Sequence, residues 1–147
     1  MKLKIYFFGK KTEITLEEQE YLRRINFRCN CELIPLAQAG LTDGEKAKKI
    51  EAEKFLSKIE KGDYLIAWDE RGTPMDSMKF ATFLDTTLKD RKNLVMVIGG
   101  AYGLDESIRQ RADRLIRGSD MIWTRNLFRL MVCEQTYRAF EIEGGGN

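Results

Sequence analysis

Residues 94–104 read LVMVIGGAYGL, a continuous apolar run followed by three closely spaced glycines. A run of this kind predicts a strand buried on both faces, because a half-exposed strand would alternate apolar and polar residues. Residues 64–68, YLIAW, form a second such run. Two doubly buried strands predict an α/β fold with a mainly parallel sheet that helices cover on both faces.

The rest of the chain alternates short apolar runs with amphipathic stretches, which adds three strands and five helices. The further strands are predicted at residues 3–8, 31–36 and 121–123. The helices are predicted to begin at caps formed by Thr15, Thr42, Ser77 and Asp105, and at about residue 126. The second helix is expected to end near Glu60, the fourth to include Leu115, and residues 69–74, DERGTP, to form a loop. The chain contains no repeat or low-complexity linker, which predicts one domain over residues 1–147 with a five-stranded sheet.

The chain contains no histidine, and its net charge is only +2. A Ser-His-Asp triad, a Cys-His pair and His-ligated metals are therefore excluded. Cys29, Cys31 and Cys133 are expected to be free thiols without a metal, because a structural zinc site needs four ligands. No apolar run reaches the roughly 18 residues that span a bilayer, and the start lacks a signal-peptide pattern. We therefore expect a cytoplasmic protein with no metal and no membrane partner.

The cations are unevenly placed along the chain. Residues 1–31 hold seven Lys or Arg against four Glu, and all seven cations after Lys92 are arginines. Arginine suits phosphate binding and base stacking because its guanidinium is planar and presents a fork of donors. For the arginines between positions 109 and 117, a solvated helix face with ion pairs is the favoured interpretation.

The last predicted helix, residues 126–140, is apolar on more than one side. Leu127, Leu130 and Met131 lie on one side, and Phe128 and Val132 lie elsewhere around the axis. A terminal helix of a small domain cannot bury so much apolar surface against one sheet. This pattern predicts a homodimer in which the helix also packs on a second subunit.

Ligands of parallel α/β sheets bind beyond the carboxyl ends of the strands, and two loops lie there. They are residues 68–72, WDERG, and residues 99–103, GGAYG, whose glycines let backbone groups approach a ligand closely. Neither loop has the spacing of a phosphate-binding loop or of a Rossmann fingerprint. Taken alone, GGAYG is equally well explained as a tight turn.

Four segments taken together resemble a known family. They are KIYFFGK near the start, GDYLIAWDERGTPMDSMKFA in the middle, IGGAYGL, and LFRLMVCEQTYRAF near the end. In kind and order these segments resemble the RlmH family, which methylates N3 of a pseudouridine in large-subunit rRNA. The resemblance covers nearly the whole chain. It implies the SPOUT superfamily, a C-terminal trefoil knot, a homodimer, S-adenosyl-L-methionine as methyl donor, and the ribosome as partner.

The resemblance also implies which residues bind the donor. Carried over position by position, the donor-binding residues are Trp68, Gly99, Gly100, Gly103, Ser119, Asp120, Met121, Ile122, Trp123 and Thr124. Each has a structural alternative: the glycines can serve a tight turn, Met121 and Ile122 can be strand residues, and Trp68 can be a core aromatic. Trp68 replaces the aliphatic residue that is common in the family, so it can stack on adenine or narrow the pocket.

Two departures from the family concern catalysis. Thr124 and Arg125 stand where the family usually has Pro-His, and the given sequence ends in EGGGN where the family continues into a Tyr-His tail. We therefore expect either a truncated chain or a member without that tail. The catalytic base stays unknown, with Arg125 and Arg138 as candidates. Glu134 and Arg138, in the family's EQxYRA pattern, can equally form a structural ion pair.

Basic residues that could meet rRNA phosphates are Lys10, Lys11, Arg23, Arg125 and Arg129. Three hypotheses about function follow. The protein is a methyltransferase acting on the ribosome, or a knotted domain that binds the donor or the ribosome without transferring a methyl group, or an unrelated nucleotide-binding α/β protein. The absence of phosphate-loop and Rossmann spacings weighs against the third hypothesis.

Overall fold

A computed structural model describes residues 1–144. The strands are β1 (Lys2–Phe8), β2 (Asn30–Leu36), β3 (Tyr64–Pro74), β4 (Asn93–Ile98) and β5 (Arg114–Arg117). The helices are α1 (Leu16–Ile25), α2 (Gly44–Leu56), α3 (Ser77–Asp90), α4 (Glu106–Arg111) and α5 (Arg125–Glu143), and a 3-10 turn, Lys11–Glu13, precedes α1.

The five strands form one sheet in the order β2-β1-β4-β3-β5, and every neighbouring pair is parallel. Val97 of β4 lies opposite Tyr6 of β1 on one side and opposite Ala67 of β3 on the other. The two runs that predicted doubly buried strands are therefore neighbours in the interior of the sheet. This arrangement confirms the prediction of an α/β fold with a mainly parallel five-stranded sheet.

Helices cover both faces of the sheet, as predicted. Alternate residues of the central strands, including Ile66, Trp68 and Met96, pack on one face together with α1, α3 and α5. The residues between them, such as Ala67 and Val97, pack on the other face with α2 and α4. The continuous apolar composition of β3 and β4 follows from this double burial.

Two of the predicted helix caps are confirmed and two are wrong by one residue. Thr15 caps α1 in a capping box with Glu18, and Asp105 caps α4. The cap of α2 is Asp43 rather than Thr42, and the cap of α3 is Asp76 rather than Ser77. In both cases an adjacent aspartate accepts the free N–H groups of the first turn, which a carboxylate does well at a helix N-terminus.

The prediction of a strand at residues 121–123 is wrong, and so is the extension of the fourth helix to Leu115. The fifth strand is Arg114–Arg117, and α4 ends at Arg111. Two hydrogen bonds hold the start of β5 next to β3. The Asp113 N–H donates to the Leu65 carbonyl at 2.8 Å, and the Leu65 N–H donates to the Asp113 carboxylate at 2.8 Å. Residues 121–123 form an exposed loop instead.

Residues 69–74 were expected to form a loop, but they belong to β3. Both Trp68 and Thr73 lie opposite Ile116 of β5, so residues 69–72 bulge out of the register between them. The second helix likewise ends at Leu56 rather than near Glu60. All three cysteines are free, as predicted, and the structure shows that they are also buried. Within residues 1–144, no helix combines the length and apolarity needed to cross a membrane.

Candidate functional site

A cavity of about 920 Å³ opens at the carboxyl end of β4 and beside the bulge of β3. Its wall combines three segments of chain: the start of the β3 bulge, the glycine turn after β4, and the segment between β5 and α5. The lining residues of these segments are Trp68–Arg71, Ile98–Leu104 and Arg117–Trp123, and Lys48, Arg109, Arg125 and Phe128 complete the wall. The volume lies within the range of about 300–1,000 Å³ typical of small-molecule sites.

The glycine turn owes its shape to Gly99 and Gly103. The Gly103 N–H donates to the Gly100 carbonyl at 3.1 Å, and Gly103 has a φ of +82°, which L-residues rarely adopt. A Cβ on Gly99 would lie 3.0 Å from the Gly103 carbonyl carbon, so no side chain fits there without a shift. The turn thereby presents backbone groups to the cavity.

The segment between β5 and α5 begins with a second close approach. A Cβ on Gly118 would lie 2.9 Å from the Met131 methyl carbon and 3.1 Å from the Trp68 ring. The following side chains are open to solvent, with Met121 76% and Ile122 fully exposed. The segment is therefore closely packed at Gly118, where it leaves the sheet. Further along, its apolar side chains are exposed to solvent beside the cavity.

Trp68 is the buried aromatic of the cavity wall. Its ring is 5% exposed and packs on Phe80 and Phe128, with ring centroids 5.3 and 5.9 Å away. The indole N–H has no hydrogen-bond partner among the described residues. Trp68 also lines a neighbouring cavity of about 350 Å³ together with Met75 and Gln135. A buried N–H without a partner is costly in free energy.

Ion pairs hold the cavity loops in place. Arg109 of α4 lies 3.4 Å from the Asp69 carboxylate and donates to the Leu104 carbonyl at 2.7 Å, which joins the β3 bulge to the glycine turn. Burial alone would lower the pKa of Arg109, but hydrogen bonds to Glu106 and Asp69 raise it. The Ser107 hydroxyl holds the pKa of Asp105, the cap of α4, below its usual range. These charges are engaged within the protein.

Nine of the ten residues expected to bind the donor lie in this wall: Trp68, Gly99, Gly100, Gly103, Ser119, Asp120, Met121, Ile122 and Trp123. Thr124 does not line the cavity. Its hydroxyl instead accepts the Leu127 N–H and caps α5. The fold thus brings together three segments that are distant in sequence, while their contact with a donor stays a prediction.

The two candidate catalytic arginines differ in position. Arg125 lines the cavity, and its guanidinium donates to the Phe8 carbonyl at 3.2 Å. Arg138 lies away from the cavity wall and is paired with Glu134 one turn earlier on α5. The predicted Glu134–Arg138 ion pair is confirmed, and it favours the structural interpretation of Arg138.

Among the residues expected to contact RNA, the structure contradicts Arg129. Its side chain is 2% exposed and lies 2.6 Å from the buried Glu18 carboxylate, so it cannot reach a phosphate outside. Lys10 and Lys11 are exposed beside the carboxyl end of β1, on the same edge as the cavity. Arg23 is exposed and pairs with Glu20 at 2.7 Å.

Several wall residues were not predicted as site residues. Lys48, Arg117 and Phe128 come from α2, β5 and α5, whereas Arg109 of α4 follows the glycine turn closely in sequence. Only tertiary structure brings them to the cavity. Gly118 carried a usable signal, since it directly precedes the predicted segment 119–124.

Comparison with known proteins agrees with this fold. The family model described as "Predicted SPOUT methyltransferase" matches residues 1–147. "Ribosomal RNA large subunit methyltransferase H" of Pseudothermotoga lettingae is 35% identical over 144 residues, covering 97% of this chain and 95% of the relative. The protein of the same name from Streptococcus uberis is 36% identical over 154 aligned positions, covering 99% and 97%.

Two solved structures share the fold at low sequence identity. A probable methylase family protein from Haemophilus influenzae Rd KW20 superposes with a TM-score of 0.56 at 11% identity, covering 98% of this chain and 67% of that one. A structure described under "2-OH methylation of C/U34 on tRNA" has a TM-score of 0.54 at 15% identity, covering 98% and 97%. With a family match over the whole chain and relatives of similar length, the chain belongs to the SPOUT methyltransferase family.

Proposed function

We propose that this protein transfers a methyl group from S-adenosyl-L-methionine to N3 of a pseudouridine in large-subunit rRNA, within the ribosome. The observation that carries the proposal is the cavity, since it joins the glycine turn and the segment 118–123 in a family of methyltransferases. Relatives of similar length are named as large-subunit rRNA methyltransferases. We further propose that residues 1–147 form one SPOUT-type domain that acts in the cytoplasm.

The cavity suits a donor of this kind. The backbone of Gly99, Gly100 and Gly103 and the segment Ser119–Trp123 would hold it, and the unpartnered indole N–H of Trp68 would donate a hydrogen bond to it. When bound, the donor supplies a sulfonium methyl group that needs no further activation. The protein's main tasks are then alignment and water exclusion.

The target imide nitrogen carries a proton that must leave during transfer, and this chain has no histidine to accept it. Arg125 lines the cavity and is held by the Phe8 carbonyl at its outer edge. Its fixed positive charge would stabilise negative charge that develops on the imide. We therefore assign Arg125 to charge stabilisation rather than to proton removal.

Exposed cations would position the rRNA, and of these Lys10 and Lys11 lie near the cavity. Lys10 and Lys11 follow the carboxyl end of β1, and Arg23 lies on the exposed side of α1. A net charge of +2 is too small for strong binding to free RNA. Recognition of a folded ribosomal surface by its shape fits this modest charge better.

We also propose a homodimer whose chains each carry a C-terminal trefoil knot, as the family resemblance implies. Support for the dimer comes from apolar side chains left open at the start of α5, where Leu127 is 52% and Trp123 41% exposed. Met121 and Ile122, directly before them in the chain, are also exposed, so residues 121–127 present several apolar side chains to solvent beside the cavity. A second subunit would cover this patch.

The experiment is methyl transfer from radiolabelled S-adenosyl-L-methionine to ribosomes that lack the modification. We expect incorporation into large-subunit rRNA, and mass spectrometry of the digested nucleosides should assign the label to a methylated pseudouridine. Ribosomes that already carry the modification serve as the control and should accept no label. If the protein binds the donor in calorimetry yet labels neither ribosomes nor isolated rRNA, it is a binding domain without transferase activity.

A further inference from the structure

Tyr102 is the most exposed aromatic residue of the cavity wall. It belongs to the glycine turn and is 50% exposed. The ring of Trp68 is buried, and Phe128 packs on it with 5.9 Å between the ring centroids. Trp123 is 41% exposed, but it belongs to the apolar segment that we assign to the second subunit. Tyr102 is therefore the aromatic side chain that this wall leaves open for a planar ligand.

The first residue of α2 supports the ring of Tyr102. A Cβ on Gly44 would lie 2.8 Å from the Cδ1 atom and 3.2 Å from the Cε1 atom of that ring. Gly44 has no positive φ, so contact with the ring, rather than backbone conformation, accounts for a glycine here. One edge of the ring is thus held against the helix while the side chain stays half exposed. A ring that is already held loses little freedom when a ligand stacks on it.

Lysines of α2 lie beside the glycine turn. Lys48 lines the cavity. The hydrogen bond from the Ser107 hydroxyl lowers the pKa of Asp105 most. The charges of Lys48 and Lys49 lower that pKa further, so both lysines lie near the start of α4, which follows the turn. Lys48 pairs with Glu45 at 3.0 Å, whereas the exposed Lys49 has no carboxylate at ion-pair distance within residues 1–144. An open aromatic ring near an uncompensated cation is the combination that binds unpaired nucleotides.

We propose that Tyr102 stacks on the rRNA base that is to be methylated and that Lys49 binds a phosphate next to it. The inference rests on the proposed function, because it takes large-subunit rRNA as the substrate. A base that accepts a methyl group must touch the donor, so it has to leave its stack in the RNA and enter the cavity. An aromatic side chain in the wall replaces the stacking that the base has lost. Since Tyr102 belongs to the turn that we assign to the donor, a base stacked on it adjoins the donor.

The test measures methyl transfer by the purified full chain to ribosomes that lack the modification, at saturating S-adenosyl-L-methionine. We expect Tyr102→Ala to lower kcat/KM for ribosomes by about 5- to 150-fold, the effect of losing one stacked base. Tyr102→Phe keeps the ring and should restore most of that loss. Calorimetry should show that Tyr102→Ala still binds S-adenosyl-L-methionine within about twofold of the unaltered protein.

Gly44→Ala tests the support of the ring without altering the ring itself. The added methyl group must displace the Tyr102 side chain, so kcat/KM for ribosomes should fall while donor binding persists. This variant supplies the same comparison should Tyr102→Ala not fold. Gly62→Ala is the matched control, because the space around its would-be Cβ is open. It should methylate ribosomes at the unaltered rate.

Lys49→Ala tests the phosphate contact. It should lower kcat/KM for ribosomes and make its dependence on salt concentration shallower, because one cation fewer meets the RNA. Lys54→Ala is the control, since Lys54 is an exposed lysine in the last part of the same helix. It should change neither quantity.

Two results would overturn the inference and leave the proposed function intact. Donor binding that weakens as much as kcat/KM in Tyr102→Ala would mean that the ring stacks on the adenine of the donor. Methylation by Tyr102→Ala at the unaltered rate would mean that the ring meets no substrate. If the unaltered protein binds the donor but labels no ribosomes, the proposed function fails and the inference fails with it.

Discussion

Gly72 lies where the bulge of β3 approaches the backbone of β5. A Cβ at this position would lie 2.5 Å from the Ile116 nitrogen and 2.6 Å from the Leu115 carbonyl carbon. These are backbone atoms of a paired strand, so they cannot move aside as a flexible side chain could. We expect Gly72→Ala to lower the free energy of unfolding by roughly 1–3 kcal/mol, as for other overpacked sites. Urea denaturation monitored by fluorescence measures this change.

Gly62→Ala is the matched control for Gly72. Gly62 lies in the turn before β3, has no heavy atom within 4 Å of its would-be Cβ, and has an ordinary φ. We expect its free energy of unfolding to change by less than about 1 kcal/mol. Equal destabilisation by both substitutions would show that the close packing of β3 against β5 is not what excludes a side chain at position 72.

At the residue scale, the sequence predicted Gly99, Gly100 and Gly103 as cavity glycines and missed Gly118, and it did not show why each position is a glycine. Gly103 needs a positive φ, whereas Gly100 and Gly118 leave space for Glu51, Met131 and Trp68. The pattern GGAYG predicts a turn in either case, whether a glycine is needed for a positive φ or for lack of room for a side chain. The distinction depends on residues more than ten positions away, and one sequence does not show those contacts.

At the element scale, α5 is joined to α1 by a buried ion pair. Arg129 donates to both carboxylate oxygens of Glu18, at 2.6 and 3.1 Å, and to the Glu13 carbonyl at 2.9 Å. The guanidinium also lies 4.5 Å from the centre of the Phe7 ring. The pair fixes the first turns of α5, and therefore the segment before it, against the end of β1.

We expect Arg129→Met to lower the free energy of unfolding by about 3–5 kcal/mol, because it leaves the charge of the Glu18 carboxylate buried without a counter-charge. The double substitution Glu18→Leu with Arg129→Met should recover most of that loss, since neither charge then remains. Chemical denaturation of the single and double variants tests both statements. A double variant no more stable than Arg129→Met would contradict this account.

Arg23→Met is the control for this prediction. Arg23 pairs with Glu20 on the exposed side of α1, where solvent screens the interaction. We expect little change in stability from this substitution. If Arg23→Met lowered the free energy of unfolding as much as Arg129→Met, burial would not explain why the Glu18–Arg129 pair stabilises the protein.

The elements that could be predicted from the sequence are those with a clear local signal, such as a continuous apolar run or a capping box. The two central strands carry continuous apolar runs, and the capping box of Thr15 with Glu18 places the start of α1. In contrast, β5 is a four-residue strand with arginines at both ends, and residues 121–123 look more like a strand than it does. Long-range hydrogen bonds between Asp113 and Leu65 decide that case, and local sequence does not contain them.

Arg129 was expected on the surface for a related reason. The apolar periodicity of α5 identifies its buried stripe, but it does not reveal which charge on the helix has a distant partner. Glu18 lies 111 positions earlier in the chain. Pairing across such a separation follows from the packing of α1 against α5 and could not be derived from either helix alone.

At the scale of the whole molecule, the three buried cysteines predict instability at alkaline pH. Burial raises the pKa of Cys29 to about 11 and that of Cys133 to about 12, and it also raises the pKa of Cys31. The folded state therefore keeps these thiols neutral above the pH at which the unfolded chain ionises them. This stabilisation is complete below about pH 9, and we expect a loss of roughly 3 kcal/mol or more between pH 9 and 11.

Denaturation series at several pH values measure this loss. Cys29→Ala should flatten the decline between pH 9 and 11, because one of the ionising groups is then absent from the unfolded chain. The native thiols should also resist a thiol reagent at neutral pH and react promptly in urea. A stability that is constant from pH 8 to 11 would contradict the burial of neutral thiols.

The proposed dimer would cover apolar surface that a single chain leaves exposed at the start of α5. Leu127 is 52% exposed at the start of α5, next to Trp123 and the fully exposed Ile122. A charge placed in an apolar interface loses its hydration without gaining a partner, so Leu127→Asp should shift the protein from dimer to monomer. Light scattering coupled to gel filtration measures the mass, and the monomer should also methylate ribosomes more slowly if the partner covers the cavity edge.

Ile50→Asp is the control, since Ile50 is 38% exposed on α2, on the opposite face of the sheet, and it should leave the dimer intact. A monomeric unaltered protein, or a Leu127→Asp variant that stays dimeric, would remove the start of α5 as the interface and leave its apolar patch to the ribosome.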